Sequence, residues 1–487
     1  MHPAGSSAPR VSCTTADPLP PLLALPLELR AIILSHVPDK GACRLACHAL
    51  RLAANAATQK LSWAWAQGAQ DAGTDTLPPA SLTAALPSLA VLDLSDLTCL
   101  ISLQACPTRL RELRCINTRV PDLSPLAACT ALLALDVSHV PTLTSLQGCP
   151  TSLVTLTCRH SRETSLLPLA ACTQLTALDC SHNAVLHSLE GCPPSLEELH
   201  CEETSAASFA PLAACTSLRR LLCPDCPALT SLEGCPASLE ELSCSGVSNL
   251  APLAGCTRLV KLTFDRLTEL ASLEALPPSM EKLAVCRAPV QDLSPLAACT
   301  HLKELRLENL PQLASLHGLP ATLAALTVLS CPRITTLAPL AACTALHTLR
   351  CSITPGLTSL DGVPPHRLEH LALYACGFRS LLPLAPYTRL THLGLHNMQH
   401  LDSLEGLPAS LVALTCLRCY GIRSLPPATL AACPALEFLD ITYYGQEAGG
   451  SSYARNERAR GRQAVEQGVA AWELHLQLAA AAPTTGN

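Results

Sequence analysis

Residues 122–166 read DLSPLAACTALLALDVSHVPTLTSLQGCPTSLVTLTCRHSRETSL, and this stretch decides the fold. Its first half, built on P-L-A-A-C-T, recurs from residues 165, 208, 249, 292 and 336. Its second half, built on S-L-x-G-C-P, recurs with small changes from residues 188, 231, 272 and 403. Self-similarity at a fixed short period is the signature of a solenoid, in which each repeat packs on its neighbours.

Each half contains the pattern L-x-x-L-x-L, as at Leu132, Leu135 and Val137. We find seventeen such segments, with first positions from Leu89 to Leu436, mostly 21 or 22 residues apart. The alternation of the last two apolar positions places both on one face of a short strand. Such strands are too short to be stable alone, so the pattern predicts parallel strands that stack about 4.8 Å apart and share one core.

Over residues 82–442 the chain resembles the leucine-rich-repeat family. The first half, with Leu123, Pro125 and Leu126, is similar to the short repeats of bacterial internalins, and the second half is similar to the P-x-S-L-x-x-L repeats of secreted bacterial effectors. The resemblance implies an α/β solenoid, a horseshoe or arc with a parallel concave sheet. Because 21 or 22 residues leave no room for a full outer helix, we expect one 3₁₀ or α turn that starts at the residue before proline in S-P-L-A-A-C.

The position where family members usually carry asparagine departs from the family pattern. Only Asn183 fits, and other repeats carry residues such as Val140 or Cys226 there. Cysteine at this position is closer to the cysteine-containing repeats of some ubiquitin-ligase adaptors. An asparagine ladder is therefore not expected.

The 28 cysteines of the chain follow the repeat. Cys158 and Cys201, for example, stand where later repeats have Val285 and Leu373. Interchange with valine and leucine indicates buried free thiols rather than disulfides. This favours a reducing compartment, and we expect a cytoplasmic protein.

Residues 24–57 form a predicted helical module. Residues 25–38 read LPLELRAIILSHVP, which resembles the L-P-x-E-L-x-x-x-I-F-S-H-L-P opening of the F-box, although Leu50 replaces the usual tryptophan later on. The resemblance implies docking to a Skp-type adaptor and cullin complex; the alternative is that these helices only cap the first repeat. The adaptor-binding residues would be Leu25, Pro26, Leu29, Ile32, Ile33, Val37 and Leu45.

The remaining segments lie at the two ends and before the repeats. We predict a disordered N-terminus over 1–23, a connector and N-terminal cap over 58–81, and a Gly/Ser hinge with a C-terminal helix over 443–487. No uninterrupted apolar span of about 20 residues predicts a transmembrane helix.

Catalytic and metal-binding motifs are absent from the sequence, and we predict neither an enzyme nor a cofactor. The C-x-x-C pairs, Cys223/Cys226 and Cys416/Cys419, follow from the repeat rather than from a zinc or redox site. His370 and His392 are predicted neighbours, but His396 lies too far along its strand to complete a metal site.

The concave face of the predicted sheet is the candidate binding surface, acidic in its first half and basic farther on. A weak net charge of −6 favours neither nucleic acid nor a membrane. We therefore expect a protein substrate, bound by a chain that is monomeric outside its complex. The candidate residues are Arg114, Asp136, Asp179, Glu198, His200, Glu202, Glu241, Lys261, Lys282, Arg306 and Arg350.

Two functions fit these features. The first is the substrate-recognition component of an SCF-type cullin-RING ubiquitin ligase, in which the F-box docks the adaptor and the repeats hold the substrate. The alternative is a cytoskeletal or ciliary axoneme scaffold, because the Ala/Pro/Cys/Leu-rich composition resembles leucine-rich-repeat proteins of green algae. For the first the location would be cytoplasmic or nuclear, and for the second the cytoskeleton.

Overall fold

The computed structural model describes residues 60–62, 89–98, 100–104, 106–267, 269–419, 421–422, 432–446 and 452–460. The predicted N-terminus and F-box-like module, including all seven adaptor-binding residues, lie outside the described residues. Chain contacts divide the protein between Ser245 and Gly246 into two compact units.

The first unit contains nine parallel strands among its described residues, each paired with the next along the chain. They are β1 Lys60–Ser62, β2 Val91–Asp93, β3 Glu112–Arg114, β4 Ala134–Asp136, β5 Thr155–Thr157, β6 Ala177–Asp179, β7 Glu198–His200, β8 Arg220–Cys223 and β9 Glu241–Ser245.

The second unit continues the same pattern and ends with an antiparallel pair, β18 with β19. Its strands are β10 Lys261–Asp265, β11 Lys282–Cys286, β12 Glu304–Glu308, β13 Ala325–Leu329, β14 Thr348–Ser352, β15 His370–Tyr374, β16 His392–His396, β17 Ala413–Leu417, β18 Phe438–Gln446 and β19 Ser452–Arg460.

The seventeen predicted repeat strands correspond to β2 through β18, which confirms the parallel solenoid. Within each unit, equivalent residues pair: Leu113 lies opposite Leu135, which lies opposite Leu156. The inward leucines are almost fully buried, and all three of these are 2% exposed or less. Each such side chain contributes about 1.5–3 kcal/mol by leaving water, so this spine dominates the stability.

The predicted turn opposite the strands is a 3₁₀ helix with proline as its second residue. In Ser124–Ala128 the following Cys129 N–H donates to the Leu126 carbonyl at 2.8 Å. The equivalent helices are Leu167–Ala171, Ala210–Ala214, Ala251–Gly255, Ser294–Ala298, Ala338–Ala342 and Leu382–Leu384. No helix within the described part of the chain has the length and apolar character to cross a membrane.

Side chains of mixed chemistry replace the asparagine ladder. Asn183 donates to the carbonyl of Glu163 at 3.1 Å, and the Cys226 thiol contacts the carbonyl of Cys201 at the same distance. Both side chains thus satisfy a buried carbonyl group of a preceding repeat. Hydroxyl or thiol groups contact backbone carbonyls from the same position at Thr118, Ser161, Thr204, Cys331, Cys376 and Cys419.

The cysteines that the structure describes have free thiols, as the repeat pattern predicted. Cys158, Cys201 and Cys244 are completely buried. Burial raises the pKa of the Cys158 thiol well above its ordinary value, because the thiolate would lose its hydration. Cys192 and Cys235 are less buried than the leucine-like pattern predicted.

Each strand from β2 to β17 is followed by a turn residue with positive φ. Asn and Asp tolerate this left-handed conformation, whereas a β-branched residue is strained in it. Ile353, with φ +53° and a side chain 46% exposed, occupies it nonetheless. The other turn residues are Asp96, Asn117, His139, His160, His182, Glu203, Asp225, Gly246, Arg266, Arg287, Asn309, Ser330, Ala375, Asn397 and Arg418.

A second recurring turn requires glycine because of close backbone contact. At Gly191, with φ +101°, an added Cβ would lie 2.4 Å from the backbone of Leu166. The glycine in S-L-x-G therefore lets the second half of each repeat of about 43 residues approach the 3₁₀ helix of the first half of that repeat.

Two segments differ from the sequence prediction. Residues 60–62, assigned to the connector, form β1 and pair with β2. Residues 453–460, predicted as part of a helix, belong to β19, which pairs with β18 over nine residues. This prediction of helix is wrong because β18 would otherwise expose a strand edge, and pairing with it overrides the local helical composition.

We expect Ile353→Asn to stabilise the protein by about 1 kcal/mol, because asparagine relieves the left-handed strain without removing a buried side chain. Thermal and urea unfolding of the full chain measure the change. The reverse substitution at the equivalent exposed position, Asn309→Ile, should destabilise by a similar amount. Equal stability of all three proteins would contradict the assignment of strain.

Candidate functional site

The candidate surface is the exposed sheet face, which we define as the outward side chains of the strands and of the two residues after each strand. In β7, Glu198 and His200 point outward on either side of the buried Leu199. Because equivalent residues of neighbouring strands are paired, outward side chains form rows with a spacing of about 4.8 Å.

The predicted residues Arg114, Asp136, Asp179, Glu198, His200, Glu202 and Glu241 all lie on the exposed sheet face of the first unit, fully or half exposed. The structure brings Arg114 beside Asp136 and Asp179 beside His200 in the strand register. Arg114 also pairs with Glu112 of its own strand, at 2.6 Å.

The acidic part of this face is bridged by basic side chains. Asp179 lies 3.4 Å from Arg159 and 3.8 Å from His200, which in turn lies 2.8 Å from Glu198. Arg220 joins the row by contacting Glu198 at 3.1 Å. Arg159 and Arg220 were not among the predicted residues, although each occupies an outward position that the repeat pattern identifies.

Arg220 extends the network to Glu241, at 3.2 Å. A shallow depression of about 100 Å³ lies within it, lined by Thr155, Thr157, Asp179 and His200 among others. Exposed ion pairs of this kind contribute about 0–1 kcal/mol each, so they orient side chains more than they stabilise the fold.

In the second unit, Lys261, Lys282, Arg306 and Arg350 are exposed on the sheet face, as predicted. Lys282 pairs with Glu304 at 2.8 Å, and Arg306 pairs with Glu308 at 2.6 Å. Arg350 differs from both, because its guanidinium group has no hydrogen bond or ion pair among the described residues.

Arg350 lies at one end of an open depression of about 250 Å³, which we call the Arg350 depression. The strand register places Arg350 beside Ala372, then Gly394 and then Thr415. These small residues create the depression, since larger side chains would fill the row. His370, His392 and Ala413 form the parallel row on one side.

Pairs of rings stand on both sides of the Arg350 depression. His370 and His392 lie with ring centroids 4.5 Å apart on one side, which confirms the predicted neighbours. Tyr374 and His396 lie 6.4 Å apart in the next outward row. Tyr374 is 40% exposed. The sequence pattern predicted the His370–His392 contact but not the depression beside it.

Burial favours the neutral form of two of these histidines. It is the main cause that lowers the pKa of His370, and the adjacent His392 lowers it further. Burial also lowers the pKa of His396, which Asp440 partly offsets. Arg350 therefore supplies the permanent positive charge of the depression at neutral pH.

Three turn histidines of the first unit form a stack. The ring centroids of His139 and His160 are 4.3 Å apart, and those of His160 and His182 are 4.2 Å apart. Burial lowers the pKa of His160, and the charges of the two neighbouring rings lower it further. His182 lies 3.2 Å from Glu203 in the next turn. These three histidines are spaced by one repeat period in the sequence, and this spacing could have predicted that their rings lie side by side.

Glu163 is a buried carboxyl group that the sequence analysis also missed. Its side chain is fully buried, and Asn183 donates to it at 2.6 Å. Burial raises its pKa to about 7, because the charged form loses hydration. It lies on the inner side of the turn after β5 and makes no contribution to the exposed sheet face.

Metal-binding chemistry has no arranged site in the described residues, where no cluster of three His, Cys, Asp or Glu side chains is suited to an ion. Cys223 and Cys226 are both buried, as are Cys416 and Cys419, in agreement with their place in the repeat.

Comparisons with known proteins identify no relative by sequence, since no family model and no curated protein matches the chain. Among solved structures, an internalin (InlF) from Listeria monocytogenes matches with 17% identity, 75% of this chain, 92% of that chain and a TM-score of 0.44. The functional domain of InlJ from the same organism, which includes a cysteine ladder, matches with 19% identity, 64% and 69% coverage and a TM-score of 0.42.

The circular leucine-rich-repeat protein CroV588 matches with 16% sequence identity and a TM-score of 0.46, and the match covers 74% of this chain and 57% of the CroV588 chain. These similarities are too weak to bear on function, which has to be argued from the exposed sheet face itself.

We expect Glu163→Gln to stabilise the protein at pH 8 and to leave it nearly unchanged at pH 5. The folded-state pKa of about 7 exceeds the ordinary value of 4.5, so the favourable contribution of the protonated form is complete below pH 4.5 and is lost as pH rises through 7. The difference in unfolding free energy between wild type and variant should change by roughly 3 kcal/mol between these pH values, at 1.36 kcal/mol per pKa unit.

Urea unfolding at pH 5 and pH 8 tests this expectation. Glu190→Gln is the matched control, because the Glu190 side chain is exposed in the same unit. A pH dependence that is the same in wild type, Glu163→Gln and Glu190→Gln would show that Glu163 ionises normally.

Proposed function

We propose that the chain is a non-catalytic interaction subunit whose exposed sheet face binds a protein partner. The observation that carries the proposal is the register-aligned array of outward side chains within each unit. Charged and aromatic groups repeat about every 4.8 Å on a rigid backbone, a spacing suited to an extended protein surface.

The two depressions described on the exposed sheet face are too small and too open to enclose a small molecule. They measure about 100 and 250 Å³. Pockets for small ligands are typically about 300–1,000 Å³ and enclose most of the ligand. A partner that spans many strands would instead gain from both charge complementarity and total contact area.

We propose further that the chain is the substrate-recognition component of an SCF-type ubiquitin ligase. This rests on the F-box-like sequence of residues 25–54, which would dock the Skp-type adaptor while the exposed sheet face holds the substrate. The subunit would then act by bringing its substrate close to the ligase, and its place would be the cytoplasm or nucleus.

Co-purification of the full chain with a Skp-type adaptor and cullin tests the ligase role. Leu29, Ile32, Ile33 and Val37 recur at spacings of three and four residues and so form one apolar stripe of a predicted helix. We expect Leu29→Asp combined with Ile33→Asp to abolish the complex, because two charges would replace apolar groups of this stripe. Arg30→Asp is the control, because Arg30 lies off that stripe. Circular dichroism of all variants checks that the solenoid remains folded.

Adaptor binding that is absent from wild type, or retained by the double variant, would reject the ligase role. Co-sedimentation with microtubules, unchanged on deletion of residues 1–57, would favour the cytoskeletal scaffold instead. Neither outcome depends on the exposed sheet face, so the partner-binding proposal is tested separately.

A further inference from the structure

We propose that the Arg350 depression is a specificity site for a carboxylate side chain, aspartate or glutamate, on the bound protein partner. The inference rests on the proposed partner-binding role of the exposed sheet face. It names the chemical group that the second unit recognises and the residues that recognise it.

The unpaired guanidinium group of Arg350 is the first part of the argument. Lys282 and Arg306, at outward positions of the same unit, each contact a carboxylate of the chain within 3 Å. Arg350 is exposed and has no such partner among the described residues. Its planar N–H donors are thus available for a bidentate interaction with an incoming carboxylate.

Two acidic groups of the second unit, Glu369 and Asp440, form no ion pair with Arg350. Glu369, which precedes β15, forms an ion pair with Arg389 at 3.9 Å and not with Arg350. Asp440 is 6% exposed and lies in register beside Thr415, at the opposite end of the row. Four strand spacings separate the Arg350 and Asp440 positions, or about 19 Å. An anionic group is therefore attracted to the Arg350 end of the row.

Small outward residues provide the space for a ligand. Ala372 and Gly394 follow Arg350 in the same row, so the backbone of β15 and β16 is open to the approach of a peptide. A Cβ atom added at Gly394 would meet Ala372 and His396 only at 3.5–3.7 Å, which is ordinary contact. The backbone conformation therefore does not require glycine at this position. The depression exists because the side chains here are small.

Ring side chains complete the site. His370 with His392 and Tyr374 with His396 stand on the two sides of the small residues. Tyrosine and arginine are the residue types that most often carry binding energy at protein interfaces. Rings on both sides would hold the aliphatic part of an acidic side chain and limit the access of water to its ion pair with Arg350.

The net charge distinguishes a carboxylate from a phosphate. Arg350 is the one arginine or lysine among the residues that line the depression, and burial favours the neutral imidazole at His370. One positive charge matches the single negative charge of a carboxylate. A phosphorylated side chain carries close to two negative charges and is typically bound by clusters of arginines.

The test uses the full chain with 13C-labelled histidine rings and titrates three blocked amino acids as probes. N-acetyl-glutamate amide is the carboxylate, N-acetyl-glutamine amide is its neutral counterpart, and N-acetyl-phosphoserine amide is the dianion. His370→Gln and His392→Gln assign the two ring signals. We expect the glutamate probe to shift both signals at lower concentration than either of the other probes.

Two variants and two matched controls separate charge from shape. Arg350→Gln should weaken the glutamate response about tenfold or more, while Arg219→Gln, at an arginine that pairs with Glu240 and precedes β8, should leave it unchanged. Gly394→Val should fill the depression and abolish the response with the sheet intact, while Ala284→Val, at the equivalent outward position of β11, should preserve it.

An equal response to the glutamine probe, a stronger response to the phosphoserine probe, or no loss in Arg350→Gln would overturn the assignment. So would the absence of any shift with glutamate up to the solubility of the probe. The experiment needs neither adaptor nor partner, so its failure is distinguishable from failure of the ligase proposal, which adaptor co-purification decides.

Discussion

Register between neighbouring strands is the constraint on which the rest of the structure depends. Equivalent positions pair within each unit, as Leu113, Leu135 and Leu156 do, so each repeat must deliver the same inward side chain at the same height. A slip of one residue would turn the buried leucines outward. Since one buried leucine contributes about 1.5–3 kcal/mol and an exposed ion pair about 0–1 kcal/mol, the inward rows set the register and the outward rows follow it.

The turns let chain segments of nearly constant length satisfy this register. A left-handed residue after each strand reverses the chain direction, and a glycine such as Gly191 permits close contact with the 3₁₀ helix. Polar side chains on the inner side of the turns bond the carbonyls that the strands leave unpaired. The outward residues of the strands are not needed for the turn conformation, the close backbone contacts or the bonding of buried carbonyl groups. Their side chains can therefore vary to suit a partner.

Periodicity was enough to predict the strands, their parallel order, a proline-led outer turn of 3₁₀ or α type, and the buried thiols. These features depend on local pattern and on the burial of Leu-like positions, both of which can be read from one sequence. The strand β19 could not be predicted in this way, because its residues lie outside the repeat and their pairing with β18 is a tertiary effect.

The candidate site was predictable only in outline. The pattern identified the outward positions, including Arg350, but not which charges neutralise one another. Ion pairs such as Arg220 with Glu198 depend on rotamers across strands. The Arg350 depression exists because Ala372 and Gly394 have no large side chains. Only the strand register shows that these small residues lie beside an unpaired arginine.

The stack of His139, His160 and His182 has a consequence for how the first unit responds to acid. Once one ring of a contacting pair gains a proton, its charge makes protonation of the adjacent ring less favourable. Burial and the two adjacent rings both lower the pKa of His160, so this central ring gains a proton only at a pH below the ordinary range of imidazole. Mild acidification would therefore leave the central ring of the stack neutral and able to keep its contact with both neighbours.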